Sequence, residues 1–109
     1  MDFLQLAADR YSVRSFSPKA IPRKELEKIL RAGQLAPTAV NYQPQKIYVL
    51  QSKEALATIR ALTRFTYDAP VVLLCCADLS KACHSPAEPG YNTGEMDVSI
   101  VCTQMMLEA

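Results

Sequence analysis

The sequence predicts an α+β fold, and three observations carry that reading. Residues 24–33, 53–62 and 96–107 place apolar side chains at the three-and-four spacing of helices with one buried face. Residues 46–51 alternate as a strand does, with Ile47 and Val49 on one side and Tyr48 and Leu50 on the other. Residues 71–76 form an unbroken apolar run, the pattern of a central strand covered on both faces.

Taken in order, Asp2 is placed to cap a first helix on which Phe3, Leu6 and Ala7 share a face. That helix frays between Arg10 and Val13, and residues 15–21, with Pro18, read as an irregular connector. Pro22 stands at the start of a second helix, where its missing N–H costs little. Leu26, Ile29, Leu30 and Gly33 make the apolar stripe of that helix, Arg23, Lys24, Glu27 and Lys28 face water, and Ala36-Pro37 stops it. After the 46–51 strand, an amphipathic helix over 53–62 carries Leu56, Ile59, Arg60 and Leu62. The 71–76 strand is followed by a long loop over 78–94, with two glycines and two prolines. From Met96 the pattern is helical again, burying Val98, Val101 and Met105 together with Ile100 and Leu107. It breaks off at Ala109 without a Gly, Asn or Pro stop, so the chain reads as a truncated piece of a longer protein.

The bulk properties narrow the function classes. At 109 residues the chain is expected to form one domain, residues 1–109. A net charge of +1 gives no electrostatic case for nucleic acid or a membrane surface. No apolar run approaches the roughly 20 residues that span a bilayer. Asp2 near the start is unlike a basic leader, so a cytoplasmic location is expected. Of the four cysteines, Cys75 and Cys76 are adjacent in the apolar run and point to opposite faces, Cys102 lies in a helical pattern, and Cys83 sits in the loop beside His84. With no C-x-x-C and no second histidine, these read as free thiols rather than metal ligands. A small thiol or metal protein built on Cys83 and His84 is the minor alternative.

Two segments carry the chemistry. Arg10-Tyr11-Ser12-Val13-Arg14 offers two guanidiniums and a hydroxyl within one helical turn, a grip that suits phosphate oxygens. Its bland counterpart is a solvated helix end, with Asp9 alongside. The loop 36–44 sets Pro37, Thr38, Asn41 and Gln43 where amide donors and acceptors can read the edge of a flat polar heterocycle. Its bland counterpart is a turn in which Asn41 bonds its own backbone and Pro44 rigidifies the exit. Together they point to a phosphorylated aromatic cofactor, FMN. Tyr42, Tyr67 and Tyr91 are candidates to stack on a ring, His84 is expected at the surface, and Glu95 and Asp97 suit the dipole at a helix start. No Ser-His-Asp set, P-loop or G-x-G-x-x-G is present.

The order Arg10-x-Ser12-x-Arg14-x-Phe16, a helix, Ala36-Pro37-Thr38-x-x-Asn41-x-Gln43-Pro44 and a strand resembles the N-terminal portion of the FMN-dependent nitroreductases. Asp68-Ala69-Pro70-Val71-Val72-Leu73-Leu74, then Glu95-x-Asp97 before an Ala/Met/Leu helix, fit the same pattern. The resemblance implies a mostly antiparallel sheet flanked by helices, in a homodimer with FMN at the interface. Arg10, Ser12 and Arg14 would hold the phosphate, ribityl chain and pyrimidine edge. Pro37, Thr38, Asn41 and Gln43 would reach the FMN held mainly by the other subunit. The implied activity is hydride transfer from NAD(P)H through FMN to a nitroaromatic, quinone or similar acceptor. Family members carry further flavin contacts in a C-terminal portion beyond the pattern seen here, so a truncated, non-catalytic flavin-binding domain is the alternative.

Overall fold

The computed structural model describes residues 2–109, so Met1, the first residue of the stretch compared above with a basic leader, lies outside the described residues. In chain order the elements are α1 (Phe3–Asp9), α2 (Arg23–Gln34), a single tight turn (Ala39–Asn41), β1 (Gln45–Leu50), α3 (Lys53–Leu62), β2 (Val72–Ala77) and α4 (Gly94–Glu108). Two compact units emerge: one is the chain up to Arg23 with Tyr48–Leu74, the other Lys24–Ile47 with Cys75–Ala109. The expected α+β class is observed. The sheet has two strands, β1 and β2. Beyond its end, the Asp78 N–H donates to the Pro44 carbonyl at 2.7 Å, joining the start of β1 to the end of β2, so the strands run antiparallel.

In the first unit, Asp2 caps α1 as expected, its Oδ1 accepting from the Gln5 N–H at 2.8 Å. The apolar face of α1 is not buried: Phe3 is 70% and Leu4 78% exposed, and Leu6 is half-buried. A helix of seven residues offers too little contact of its own to decide where its apolar side goes. Ser52 caps α3, accepting from the Ala55 N–H at 3.1 Å. Leu56 is buried on its inner face and Ile59 half-buried. Leu62 departs from the expectation at 77% exposed, because six steps of about 100° turn it about 120° from Leu56. β2 departs too: its residues are half-buried and Leu74 is exposed. Among the described residues β2 pairs with β1 alone, and an apolar run records what a strand wants covered rather than what covers it.

The second unit is organised by α2 and α4. Leu26 and Gly33 are buried on α2, Gly94, Asp97, Val101 and Met105 on α4. Ile100, expected inside, is exposed, and Val98 and Leu107 are half-buried. A Cβ on Gly33 would meet Met105 Sδ at 2.8 Å and Val101 Cγ1 at 3.3 Å, so glycine sets how closely the helices approach. The Gln104 amide donates to the Ala32 carbonyl at 2.9 Å and fixes their register.

Among the described residues all four cysteines stay outside any disulfide, and all are half-buried. Burial pushes the Cys75 thiol up to about 12, helped by its neighbour Cys102 and by Cys76. Two expectations follow. At pH 8 native Cys75 resists iodoacetamide and is labelled only after unfolding in urea; rapid labelling of the native thiol would contradict its burial. Because the folded-state value is raised, the stability linked to this thiol is intact below the ordinary value of 9.0 and is lost as pH climbs from 9.0 toward 12. Denaturation titrations across that window, compared between wild type and Cys75→Ala, read it out.

Candidate functional site

The Arg10–Arg14 segment is not helical. α1 ends at Asp9, and Arg10, at φ −62° and ψ 135°, closes the helix with its N–H on the Leu6 carbonyl. Tyr11, Ser12 and Val13 are mediocre helix formers, and all three are exposed, so burial does not override that preference. The consequence is geometric. Fully extended, Arg10 and Arg14 stand up to about 13 Å apart rather than the about 6 Å of one helical turn. In extended backbone, alternate side chains leave the same side, which suits Arg10, Ser12 and Arg14 as a row. All three are exposed, and no hydrogen bond or ion pair engages their side chains among the described residues. The run is tethered at its far end, where the Phe16 N–H donates to the Tyr67 carbonyl at 3.3 Å. Tyr67 and Asp68 there take positive φ of 49° and 60°.

The 36–44 loop belongs to the second unit and is built with strain. Val40, Asn41 and Gln43 hold φ of 56°, 54° and 52°, a region that a β-branched valine rarely visits. Such residues cost about 1–3 kcal/mol each and persist only where the surroundings insist. Here they do. Thr38 accepts the Asn41 N–H on its carbonyl at 2.9 Å and the Gln43 N–H on its hydroxyl at 3.0 Å. The Gln43 side-chain amide donates to the Gln34 carbonyl at 3.3 Å, and Pro44 is fully buried at the exit. The Asn41 side chain makes no hydrogen bond among the described residues, and Pro37 is exposed. At the foot of the loop Gln45 Oε1 is buried without a hydrogen-bond partner among the described residues.

The residue that sequence reasoning undervalued is Asp97. Only 2% exposed, it accepts the Ala39 N–H on Oδ1 at 3.0 Å and the Thr93 hydroxyl on Oδ2 at 2.8 Å. An acidic residue in the first turn of α4 suits the helix dipole; its main employment is holding a loop 58 positions away in sequence. The only clue was Thr93 one turn before it. Glu95 is exposed. His84 is exposed as expected, its Nε2 2.9 Å from the Leu79 carbonyl, and it bridges to Asn92 across a small hairpin. Among the described residues no group of three His, Cys, Asp or Glu is placed to hold a metal ion, and no helix is long and apolar enough to cross a membrane. Tyr42 and Tyr91 are exposed, while Tyr67 makes a tilted pair with Phe65 at 6.3 Å.

Residues 7–65, which contain the arginine run and the strained loop, match the model of the nitroreductase family. The chain belongs to the nitroreductase family. It is 31% identical over 84 residues to an FMN reductase [NAD(P)H] of Bacillus subtilis, covering 74% of this chain and 34% of that protein. A crystal structure of a nitroreductase family protein from Clostridium difficile superposes with a TM-score of 0.92 at 38% identity, over 100% of this chain and 62% of that one. A protein of Exiguobacterium sibiricum solved in complex with FMN shares the fold at a TM-score of 0.81 and 22% identity, over 99% of this chain and 69% of that one. The chain thus has the nitroreductase fold, and it spans less than half the length of the curated relatives it matches.

Proposed function

We infer that the chain is the FMN-holding portion of an NAD(P)H-dependent oxidoreductase, passing hydride to a nitroaromatic, quinone or similar acceptor. The observation that carries this reading is that Arg10, Ser12 and Arg14 are exposed, with side chains uncommitted among the described residues, in a chain similar to an FMN reductase [NAD(P)H]. An exposed guanidinium keeps its fork of donors available to an anionic ligand. The 36–44 loop suits the ring of an FMN held mainly by the other subunit. The exposed Asn41 amide, without a side-chain hydrogen bond among the described residues, offers donors and an acceptor to a ring edge.

FMN, when bound, supplies the hydride-carrying ring. The chain's work is to bind and orient it. Arg10, Ser12 and Arg14 hold phosphate, ribityl chain and pyrimidine edge, and their two fixed positive charges favour an anionic reduced ring. Pro37, Thr38, Asn41 and Gln43 border the ring from the partner in a homodimer, where the exposed Phe3 and Leu4 of α1 also find cover. On this reading residues 1–109 act as one cytoplasmic flavin-binding domain. A flavin-binding chain without turnover is the second reading, since Arg10, Ser12 and Arg14 would hold FMN whether or not hydride is passed on.

The test is a visible spectrum after loading with FMN and removing the excess, followed by addition of NAD(P)H. A retained flavin band that bleaches supports the enzyme; a retained band that does not bleach supports the second reading. Arg10→Ala and Arg14→Ala are each expected to weaken FMN by roughly tenfold, the value of one charge-assisted contact, with little change in thermal midpoint. Unchanged flavin retention in both would overturn the assignment.

A further inference from the structure

The unit that holds the arginine run contains a second basic cluster at the end of α3. Arg60, Thr63, Arg64, Tyr67 and Asp68 join Arg14 around an open, polar cavity of about 350 Å³. Three guanidiniums stand there against one carboxylate, so positive charge is in excess. Like charges on one rim repel, and only solvent screening or a bound anion relieves them. Part of the arrangement has an ordinary cause, because cations suit the C-terminal end of a helix. That does not account for how the forks are held. Arg60 Nη2 donates to the Ala69 carbonyl at 3.2 Å, and the Arg64 guanidinium lies 5.3 Å from the centre of the Phe65 ring. Both planes are thereby restrained, yet neither arginine makes an ion pair among the described residues. The turn that forms the opposite rim is set by the positive φ of Tyr67 and Asp68 and tied down by Phe16.

We propose that this cavity is an anion subsite for a phosphate monoester, with Arg60 and Arg64 completing the grip that Arg14 begins. A planar fork matches phosphate oxygens two at a time, and restrained forks lose little freedom on binding. Anion binding stands on the cavity alone; the identity of the donor rests on the function proposed above. Two ligands of that function carry a monoester phosphate, FMN and NADPH, and each has a natural control lacking it, riboflavin and NADH.

Arg60 also ties Ala69, so Arg64→Gln, which breaks no hydrogen bond among the described residues, is the deciding variant and Arg60→Gln supports it. Inorganic phosphate is expected to raise the wild-type thermal midpoint above that in chloride of equal ionic strength, and Arg64→Gln to lose most of that gain. The affinity lost should be roughly tenfold per arginine. If the preference for FMN over riboflavin then collapses, the subsite holds the flavin phosphate. If the preference for NADPH over NADH collapses, it holds the dinucleotide's. No phosphate-specific stabilisation of wild type, or the same stabilisation in Arg64→Gln, overturns the proposal. A wild type that binds phosphate but no flavin would defeat the proposed function and leave the anion subsite standing.

Discussion

Asp97→Ala is expected to lower the unfolding free energy by about 3 kcal/mol and to release the 36–44 loop. The substitution removes two acceptors at once and leaves the Ala39 N–H and the Thr93 hydroxyl without partners. An orphaned donor costs about 1–3 kcal/mol when buried, and these two are half-buried, which puts each in the lower half of that range. The loss is compounded because the Ala39 bond fixes the loop immediately before three residues of positive φ. Urea denaturation gives the energy, and amide exchange of the peptide containing Ala39 gives the location. Asp97→Asn separates the bonds from the charge. Its remaining oxygen can still accept from Ala39, and the Thr93 hydroxyl can turn to accept from the new amide. Asparagine should therefore recover at least half of the loss. Equal damage from Ala and Asn would show that the carboxylate's charge, and not its two hydrogen bonds, holds the loop.

Gly33→Val is expected to cost about 2–3 kcal/mol, the range for overpacking a filled interior. Its Cβ alone would sit 2.8 Å from Met105 Sδ and 2.9 Å from Met105 Cγ. Met105 is 3% exposed, so its side chain has little room to withdraw. Met105→Ala, made separately, opens a cavity and should cost about 2–5 kcal/mol. Combined, the two changes relieve one another, and the double variant should be at least about 1 kcal/mol more stable than the sum of the singles implies. Denaturation curves for the four proteins complete the cycle. Strict additivity would mean that Gly33 is required for some reason other than the approach of α4.

Most elements could be read from side-chain periodicity, since periodicity is local. The helix at 53–62 and the stripe of Leu26, Ile29, Leu30 and Gly33 fall where their spacing puts them. What could not be read depends on partners far along the chain. The exposure of Leu74 depends on what flanks β2, which its own apolar run cannot report. A positive φ at Val40 contradicts the intrinsic preference of valine and exists because Thr38 and Asp97 over-determine it. The same holds for the site. Arg10, Ser12 and Arg14 stand out in the sequence as a candidate phosphate grip, but the helical turn expected of them does not form, because α1 ends at Asp9. Arg60 and Arg64 are invisible in sequence as partners of Arg14, being about fifty positions away and unremarkable on a helix end.

The strained 36–44 loop has a kinetic side. A disordered loop that must fold over an incoming molecule adds a slow, entropy-consuming step to association. Here the ordering happens once, when Asp97, Thr38 and Pro44 lock during folding. On the proposed function, a planar ligand would meet an edge already formed, and its capture would be set by encounter and orientation rather than by loop closure. Differences in affinity among such molecules would then show in how long they stay, not in how fast they arrive.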